Sequence, residues 1–181
     1  MNIVKDTDKG YNNLLKLMKQ QKVSADIGIF YNAGQVDGVS IAQYATYNEY
    51  GAVIRSIKAR MWLGYAMNQA GIKANIPTGN IVIPERSFLR STFDEQEKNA
   101  FRVIGADLKT SMLKPGFSLS KPVAKGAEFM RSEVVKKIKT ALQWAKPNRP
   151  FTIAMKGKNQ PLINKGIMWK DVTWKIVKIG G

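Results

Sequence analysis

The chain has 181 residues, of which 44% are hydrophobic and 23% charged, a balance typical of a folded globular protein rather than a disordered one. Its 29 Lys and Arg outnumber its 13 Asp and Glu, and the net charge of +16 favours a polyanionic partner, either nucleic acid or an acidic protein surface. Because the sequence has no cysteine and no histidine, disulfides, thiolate metal sites and thiol nucleophiles are excluded, and the commonest general base is missing.

The first half of the chain carries alternating helix and strand signals. Residues 8–21 have an apolar helical stripe flanked by lysines, and VSADIGIFY (23–31) alternates like a half-buried strand. SIAQYATYNEYG (40–51) predicts a short helix that Gly51 ends in a left-handed cap. The pattern weakens over 52–80, where we expect a variable insertion or a hairpin with a short strand and a helix.

The second half predicts two long helices and a final strand. NIVIP (80–84) reads as a strand closed by proline, and a helix follows over 92–113, with Thr92 and Glu95 spaced as in a capping box. Residues 122–144 predict the longest helix, and DVTWKIVKI (171–179) predicts the last strand. We therefore expect a single α+β domain over 1–181, with a small, mostly antiparallel sheet, helices packed on one face and one long basic helix.

The basic helix over 122–144 has two interpretations that the sequence leaves open. Its lysines, including Lys136, Lys137 and Lys139, lie largely off the apolar stripe, while Glu128 and Glu133 are the acids within it. These cations either form an ordinary solvated face or contact DNA or an acidic partner. The chain carries no base-reading motif, so contact with nucleic acid is expected to be independent of base sequence and strongly dependent on salt.

The sequence offers little for catalysis. Asp94, Glu95 and Glu97 cluster at a predicted helix start, where the helix dipole attracts acids without any reaction. No phosphate-binding glycine loop is present, and convergent acids for a metal site are lacking. We therefore predict no enzyme activity, no cofactor and no metal. Neither a signal-peptide core nor a membrane-spanning window is found, so we expect assembly in a cytoplasm without a membrane partner.

Three segments resemble a family of tailed-bacteriophage proteins, the virion-morphogenesis, tail-completion or neck proteins that include the minor tail protein Z type. The segments are YNEYG (47–51), IPERSFLRSTFDE (83–95) and PNRPFTIAMKGKNQPLINKGIMWKDVTWKIV (147–177). The family shows a helix ending in Asn/His-Glu-Tyr/Phe-Gly, then Ile-Pro-x-Arg-x-Phe-Leu-Arg, then Pro-Asn-x-Pro-x-Thr, Lys-Gly and Pro-Leu-Ile-Asp-Thr-Gly before its last strand. The order is the same here, although Asn164 and Lys165 stand where the family usually has Asp and Thr.

The resemblance implies a structural virion protein without enzyme activity. It would form a homo-oligomeric ring, expected to be a hexamer, at the head–tail junction around the path of the genomic DNA. Its neighbours would be the connector and the tail-terminator or tail-tube proteins, and its location the virion, after assembly in the host cytoplasm. The alternative from a different class is a sequence-independent nucleic-acid-binding protein.

Within this resemblance, Arg86, Phe88 and Arg90 are candidate intersubunit contacts. If the segment is helical, the two arginines lie one turn apart and could pair with carboxylates of a neighbouring subunit. The alternative is that they brace the protein's own chain. Lys136, Lys137 and Lys139 are the candidate contacts to lumenal DNA or to an acidic partner.

Overall fold

A computed structural model describes residues 22–36, 38–69, 71–72, 79–112 and 116–179, together with positions 11, 12, 15, 16, 19 and 114. The helix predicted at 8–21 lies outside the continuously described segments. The strands are β1 (Lys22–Gly28), β2 (Gln35–Val36), β3 (Val39–Ser40), β4 (Ala52–Ile54), β5 (Ile81–Ile83) and β6 (Thr173–Ile179). The helices are α1 (Ile41–Tyr50), α2 (Ile57–Gln69), α3 (Leu89–Ser111), α4 (Ser120–Lys139), α5 (Ala141–Trp144), α6 (Pro150–Lys156) and α7 (Ile167–Lys170), with a 3-10 turn at Tyr31–Ala33.

The architecture is α+β, as predicted. The described strands pair two by two, β1 with β6, β2 with β3 and β4 with β5, and every pair is antiparallel. The β1–β6 ladder joins the two ends of the described chain, with Asp26 opposite Lys175 and Ile27 opposite Trp174. Helix α4 packs on both strands of this ladder, and α3 packs along α4.

The apolar core lies around α4. Val134 and Ile138, on the predicted apolar stripe of this helix, are fully buried against Phe88, Leu162 and residues of α7. The two long helices approach closely at Gly126 of α4, because a Cβ there would come within 2.5 Å of the Ile104 side chain of α3. Burying a continuous stripe of this kind stabilises a helix more than its intrinsic propensity does.

The bounds of the long helices differ from the predicted ones. Helix α3 begins at Leu89 rather than Thr92, and its 23 residues make it longer than the 20-residue α4. The prediction that 122–144 is the longest helix is therefore wrong, because α4 ends at Lys139 and the separate α5 follows. The predicted capping box is also wrong: Thr92 lies inside α3, and its hydroxyl donates to the carbonyl of Phe88 at 2.6 Å.

The segment that follows α1 leaves the core as a strand, a helix and a returning strand. Strands β4 and β5 pair with Ala52 opposite Ile83, and α2 lies in the connection between them. Gly51 permits the departure, since its φ of 72° is positive and a Cβ there would lie 3.0 Å from the carbonyl oxygen of Ile83. Its ψ of 169° is extended and not that of a left-handed helical residue, so the predicted left-handed cap at Gly51 is wrong.

Candidate functional site

The buried carboxylate of Glu49 caps the N-terminus of α3 from the last turn of α1. Its Oε2 accepts the backbone N–H groups of Phe88 at 2.7 Å and Leu89 at 2.8 Å. Its Oε1 accepts the backbone N–H of Arg90 at 3.0 Å and the hydroxyl of Ser87 at 2.8 Å. The first N–H groups of a helix have no partner within it and carry partial positive charge, so a carboxylate satisfies them. This long-range cap, rather than the predicted capping box, sets the start of α3.

Glu49 stays ionised although it is only 2% exposed. Burial alone would raise the pKa of Glu49, but hydrogen bonds from the Leu89 and Arg90 backbone, the Ser87 hydroxyl and the Arg90 guanidinium outweigh it and hold the pKa below 4.5. The guanidinium Nε of Arg90 lies 3.1 Å from Glu49 Oε1. Hydrogen bonds to the charged form therefore keep a negative charge inside the protein at neutral pH.

Arg86 makes a second buried polar contact set beside the first. Its Nε donates to the carbonyl of Lys146 at 2.8 Å, and its Nη2 to the carbonyl of Pro147 at 3.2 Å. Its Nη1 and Nη2 also reach the Oδ1 atoms of Asn48 and Asn148, each at 3.3 Å. The backbone N–H of Arg86 donates to the carbonyl of Asn48 at 2.7 Å. One side chain thus ties α1, the segment after β5 and the loop before α6 together.

These contacts bring together all three segments on which the family resemblance depends. Glu49 belongs to the 47–51 segment, Arg86 to 83–95 and Asn148 to 147–177. We call the set of Asn48, Glu49, Arg86, Arg90 and Asn148 the buried junction. It fixes the ends of α1, α3 and the loop before α6 relative to one another by directional bonds rather than by apolar packing alone.

The buried junction corrects two of the predicted intersubunit contacts. Phe88 is 0% exposed and Arg86 is 8% exposed, so both side chains are used inside the chain, as in the alternative that was left open for the arginines. Arg90 differs, since 47% of its side chain is exposed. Its Nη2 pairs with Glu85 at 2.7 Å, and its guanidinium lies 4.4 Å from the centroid of the Tyr50 ring. Arg90 stays a candidate for contact with a neighbour.

The three predicted lysines of α4 do not form one uniform basic face. Lys136 and Lys139 are exposed, and Lys139 lies over the Trp169 ring at 4.1 Å. Lys137 is only 18% exposed at its side chain and pairs with Glu95 of α3 at 2.6 Å. Acids from outside α4 thus compensate part of its charge, which the local sequence does not reveal.

Other basic residues of α4 also have acidic partners, either on α3 or within α4 itself. Lys125 pairs with Asp107 of α3, and Arg131 pairs with Glu128 within α4 at 2.6 Å. Lys136 lies 3.6 Å from Glu133. Exposed ion pairs of this kind are weak, so the helix keeps a net positive charge that salt screens.

An exposed apolar surface lies on α2. We call the side chains of Ile57, Met61, Trp62 and Tyr65 the α2 face; each is 65–67% exposed. Residues 57, 61 and 65 follow one another at single-turn spacing, so they share one side of the helix. The charged residues of the segment from β4 through α2 are all basic, namely Arg55, Lys58 and Arg60. Tyr50 and Val53, which precede α2, are exposed as well.

The described part of the chain holds no group of three His, Cys, Asp or Glu residues that could bind a metal ion. No helix within it has the length and apolar character needed to cross a membrane. No protein-family model matches the sequence, and no curated protein or solved structure is significantly similar to it.

Of the buried-junction residues, the sequence assigned a role only to Arg86 and Arg90, as candidate intersubunit contacts, and none to Asn48, Glu49 or Asn148. The signal was present in their setting: Glu49 lies in a short, largely apolar helix that lacks a cationic neighbour to pair with it. An acid in such a position requires a distant partner, but its identity depends on how α1 and α3 pack. The sequence also assigned no role to Lys156, a half-buried residue at the end of α6 within a lysine-rich stretch.

Proposed function

We propose that this chain is a structural virion protein of a tailed bacteriophage, a tail-completion or neck protein that forms a homo-oligomeric ring at the head–tail junction. The buried junction is the observation that carries the proposal. The three short segments that carry the resemblance are spread from 47 to 177, and their meeting in space supports reading them as one unit. Here Glu49 and Arg86 hydrogen-bond the three segments to one another. The three segments therefore belong to one contact set, as the resemblance expects.

A ring subunit needs a rigid interior, because a heterologous interface closes into a ring only if the rotation between neighbouring subunits is fixed. The buried junction supplies this rigidity where α1, α3 and the loop before α6 meet. Arg90, Glu85 and Tyr50 lie on the exposed side of the junction, held by mutual contacts. They are placed to contact a neighbouring protein without disturbing the bonds beneath them.

The α2 face supplies a surface suited to assembly. A contiguous apolar surface exposed on one side of a helix often marks a contact with another macromolecule. In the proposed assembly, a neighbouring subunit or an adjoining ring covers the α2 face. The excess positive charge then faces the DNA path or the acidic surfaces of adjoining rings.

The direct test is to look for the chain in finished particles. We expect mass spectrometry of purified phage to detect it in a few copies per particle. Cryo-electron microscopy should show density at the head–tail junction that accepts α3, α4 and the β1–β6 ladder. Particles that lack the chain, or that hold it only inside the head, would contradict the proposal.

A sequence-independent nucleic-acid-binding protein is the second candidate, favoured by the net charge of +16 and by exposed Lys136 and Lys139 on α4. The two proposals differ in what the isolated chain does. A ring component should bind a short DNA duplex weakly at physiological salt. Tight binding that falls steeply with salt and is lost in Lys136→Glu with Lys139→Glu would favour the second candidate.

A further inference from the structure

A cavity of about 390 Å³ lies between α1, α2, β5 and the region from the loop before α6 to Leu162. Its walls are largely apolar and aromatic, from side chains that include Leu63, Met67, Ile83, Phe151 and Leu162. A cavity of this size matches the lower end of the range found for small-molecule sites. Asn48, Arg86 and Asn148 belong both to the buried junction and to the cavity wall. The hydrogen bonds of the junction do not fill the cavity.

The charged residues of the cavity wall are all cationic. Arg86, Arg149 and Lys156 line it, and none of the described residues that line it is Asp or Glu. The carboxylate of Glu49 is occupied on the other side, by the N-terminus of α3 and by Arg90. Of these three cations Arg86 is buried and donates only to neutral oxygens, Lys156 is half-buried and Arg149 is exposed, so the wall attracts an anion that enters from solvent.

Two donors at this wall have unused capacity. Because Asn148 accepts from Arg86 through Oδ1, its amide group is oriented with Nδ2 away from the guanidinium. That Nδ2 atom is buried and has no hydrogen-bond acceptor among the described residues. The Lys156 ammonium, which carries three donors, makes one hydrogen bond to the carbonyl of Gln160 at 3.1 Å. An entering oxyanion would give Asn148 Nδ2 an acceptor and would replace water at the remaining donors of the half-buried Lys156.

The electrostatics of Lys156 agree with this geometry. Burial, and then the positive charges of Arg86 and Lys158, lower the pKa of Lys156 to about 8. Lys156 is therefore repelled by Arg86 within the cavity wall and by Lys158 outside it. A bound anion would relieve this repulsion.

We propose that the cavity binds a carboxylate carried on an apolar or aromatic body. The carboxylate lies against Arg86, Asn148 and Lys156, and the apolar body lies against the side chains of α2 and Phe151. The carboxylate comes either from a free small molecule or from an acidic side chain of a second copy of this chain. This inference is independent of the proposed function, since the site would be present in either of the two candidate classes of protein.

Isothermal titration calorimetry of the full chain with phenylacetate tests the site, with phenylacetamide as the uncharged control of the same shape and inorganic phosphate as the anion without an apolar body. We expect phenylacetate to bind at least about tenfold more tightly than either, because a hydrogen-bonded charge and a buried ring each contribute that much or more. Equal affinities for the three probes, or no binding of phenylacetate, would overturn the proposal.

Paired lysine variants locate the site. Lys156→Met should weaken phenylacetate binding roughly tenfold or more, and Lys156→Arg should restore most of it. Lys158→Met removes the same charge from an exposed neighbour outside the cavity and should change affinity by less than about twofold. Equal losses in Lys156→Met and Lys158→Met would show only a general effect of net charge and would contradict the assignment.

The pH dependence gives a further check. Binding should weaken as the pH rises through about 8, where Lys156 loses its proton. The other charged or titratable groups around Lys156 are Tyr44, Tyr47, Arg86, Arg149 and Lys158. Lys156→Arg should abolish the weakening in that window, and a variant that retains it would exclude Lys156 as the binding cation.

The source of the carboxylate is decided by sedimentation velocity with and without phenylacetate. If a second copy supplies the acid, phenylacetate competes with it and dissociates oligomers. If the natural ligand is a free molecule, phenylacetate binds without changing the oligomeric state. Both results support the carboxylate site and differ only in the origin of its ligand.

Discussion

The buried junction and the α2 face use side chains in opposite ways. At the junction, the charged groups of Glu49 and Arg86 lie inside the protein and are held by at least four hydrogen bonds each. On α2, Ile57, Met61 and Trp62 lie in water with about two thirds of their surface exposed. A charge is tolerated in the interior only when its partners are fixed, whereas an apolar face is tolerated outside when another surface covers it. The difference indicates that the junction serves the fold, and it is the reason for proposing that the α2 face contacts other molecules.

Among the substitutions that test this difference, the largest loss of stability is expected at Glu49, in the centre of the junction. Glu49→Gln replaces one accepting oxygen by a donor, so backbone N–H groups at the start of α3 lose their acceptor and Arg90 loses a charged partner. We expect the free energy of unfolding to fall by about 3–5 kcal/mol, the usual cost of breaking a buried, hydrogen-bonded charge pair. Urea denaturation followed by circular dichroism measures it.

The matched control for this substitution is Glu85→Gln. Glu85 also pairs with Arg90, but 53% of its side chain is exposed. We expect its substitution to cost less than about 1 kcal/mol, as for most exposed ion pairs. If both variants lose the same stability, Glu49 does not hold the junction.

Acid should weaken the junction through the same carboxylate. The pKa of Glu49 in the folded chain lies below its ordinary value of 4.5, so the folded state binds fewer protons than the unfolded state in this range. The stability that Glu49 contributes is therefore complete above pH 4.5 and is lost as the pH falls through its lowered pKa. Thermal unfolding measured from pH 7 to pH 3 should show this loss, and the Glu49→Gln variant should show a smaller one.

An intermediate effect is expected where the two regions meet, at Gly51. Gly51→Ala places a Cβ about 3.0 Å from the carbonyl oxygen of Ile83 and 3.1 Å from the backbone nitrogen of Glu85, at a φ of 72°. We expect a loss of about 1–3 kcal/mol, because both strain and backbone crowding oppose the change. Gly79→Ala is the control, since no atom of the described residues lies within 4 Å of a Cβ there. Equal urea midpoints for the two variants would show that the departure from α1 is not constrained.

The smallest effect on stability is expected on the α2 face. Trp62→Gln with Tyr65→Gln should change the free energy of unfolding by no more than about 0.5 kcal/mol per site, because these side chains contribute little to the core. Self-association measured by sedimentation velocity over a range of concentrations should nevertheless decrease. Tyr31→Gln, which replaces an exposed aromatic residue on the 3-10 turn, should leave self-association unchanged. A double variant that unfolds would place the α2 face inside the fold.

The sequence determined the α+β class, the antiparallel final strand and the apolar stripe of α4, because these depend on residue periodicity, which is local. It also marked the segments at 47–51, 83–95 and 147–177 as unusual. It did not determine that Glu49 caps α3, that Arg86 and Phe88 are internal, or that acids of α3 compensate lysines of α4. Those outcomes depend on partners 18 to 62 residues away along the chain. Hydrogen bonds and ion pairs act over a few ångströms in space, and only tertiary packing decides which distant residues come within that distance.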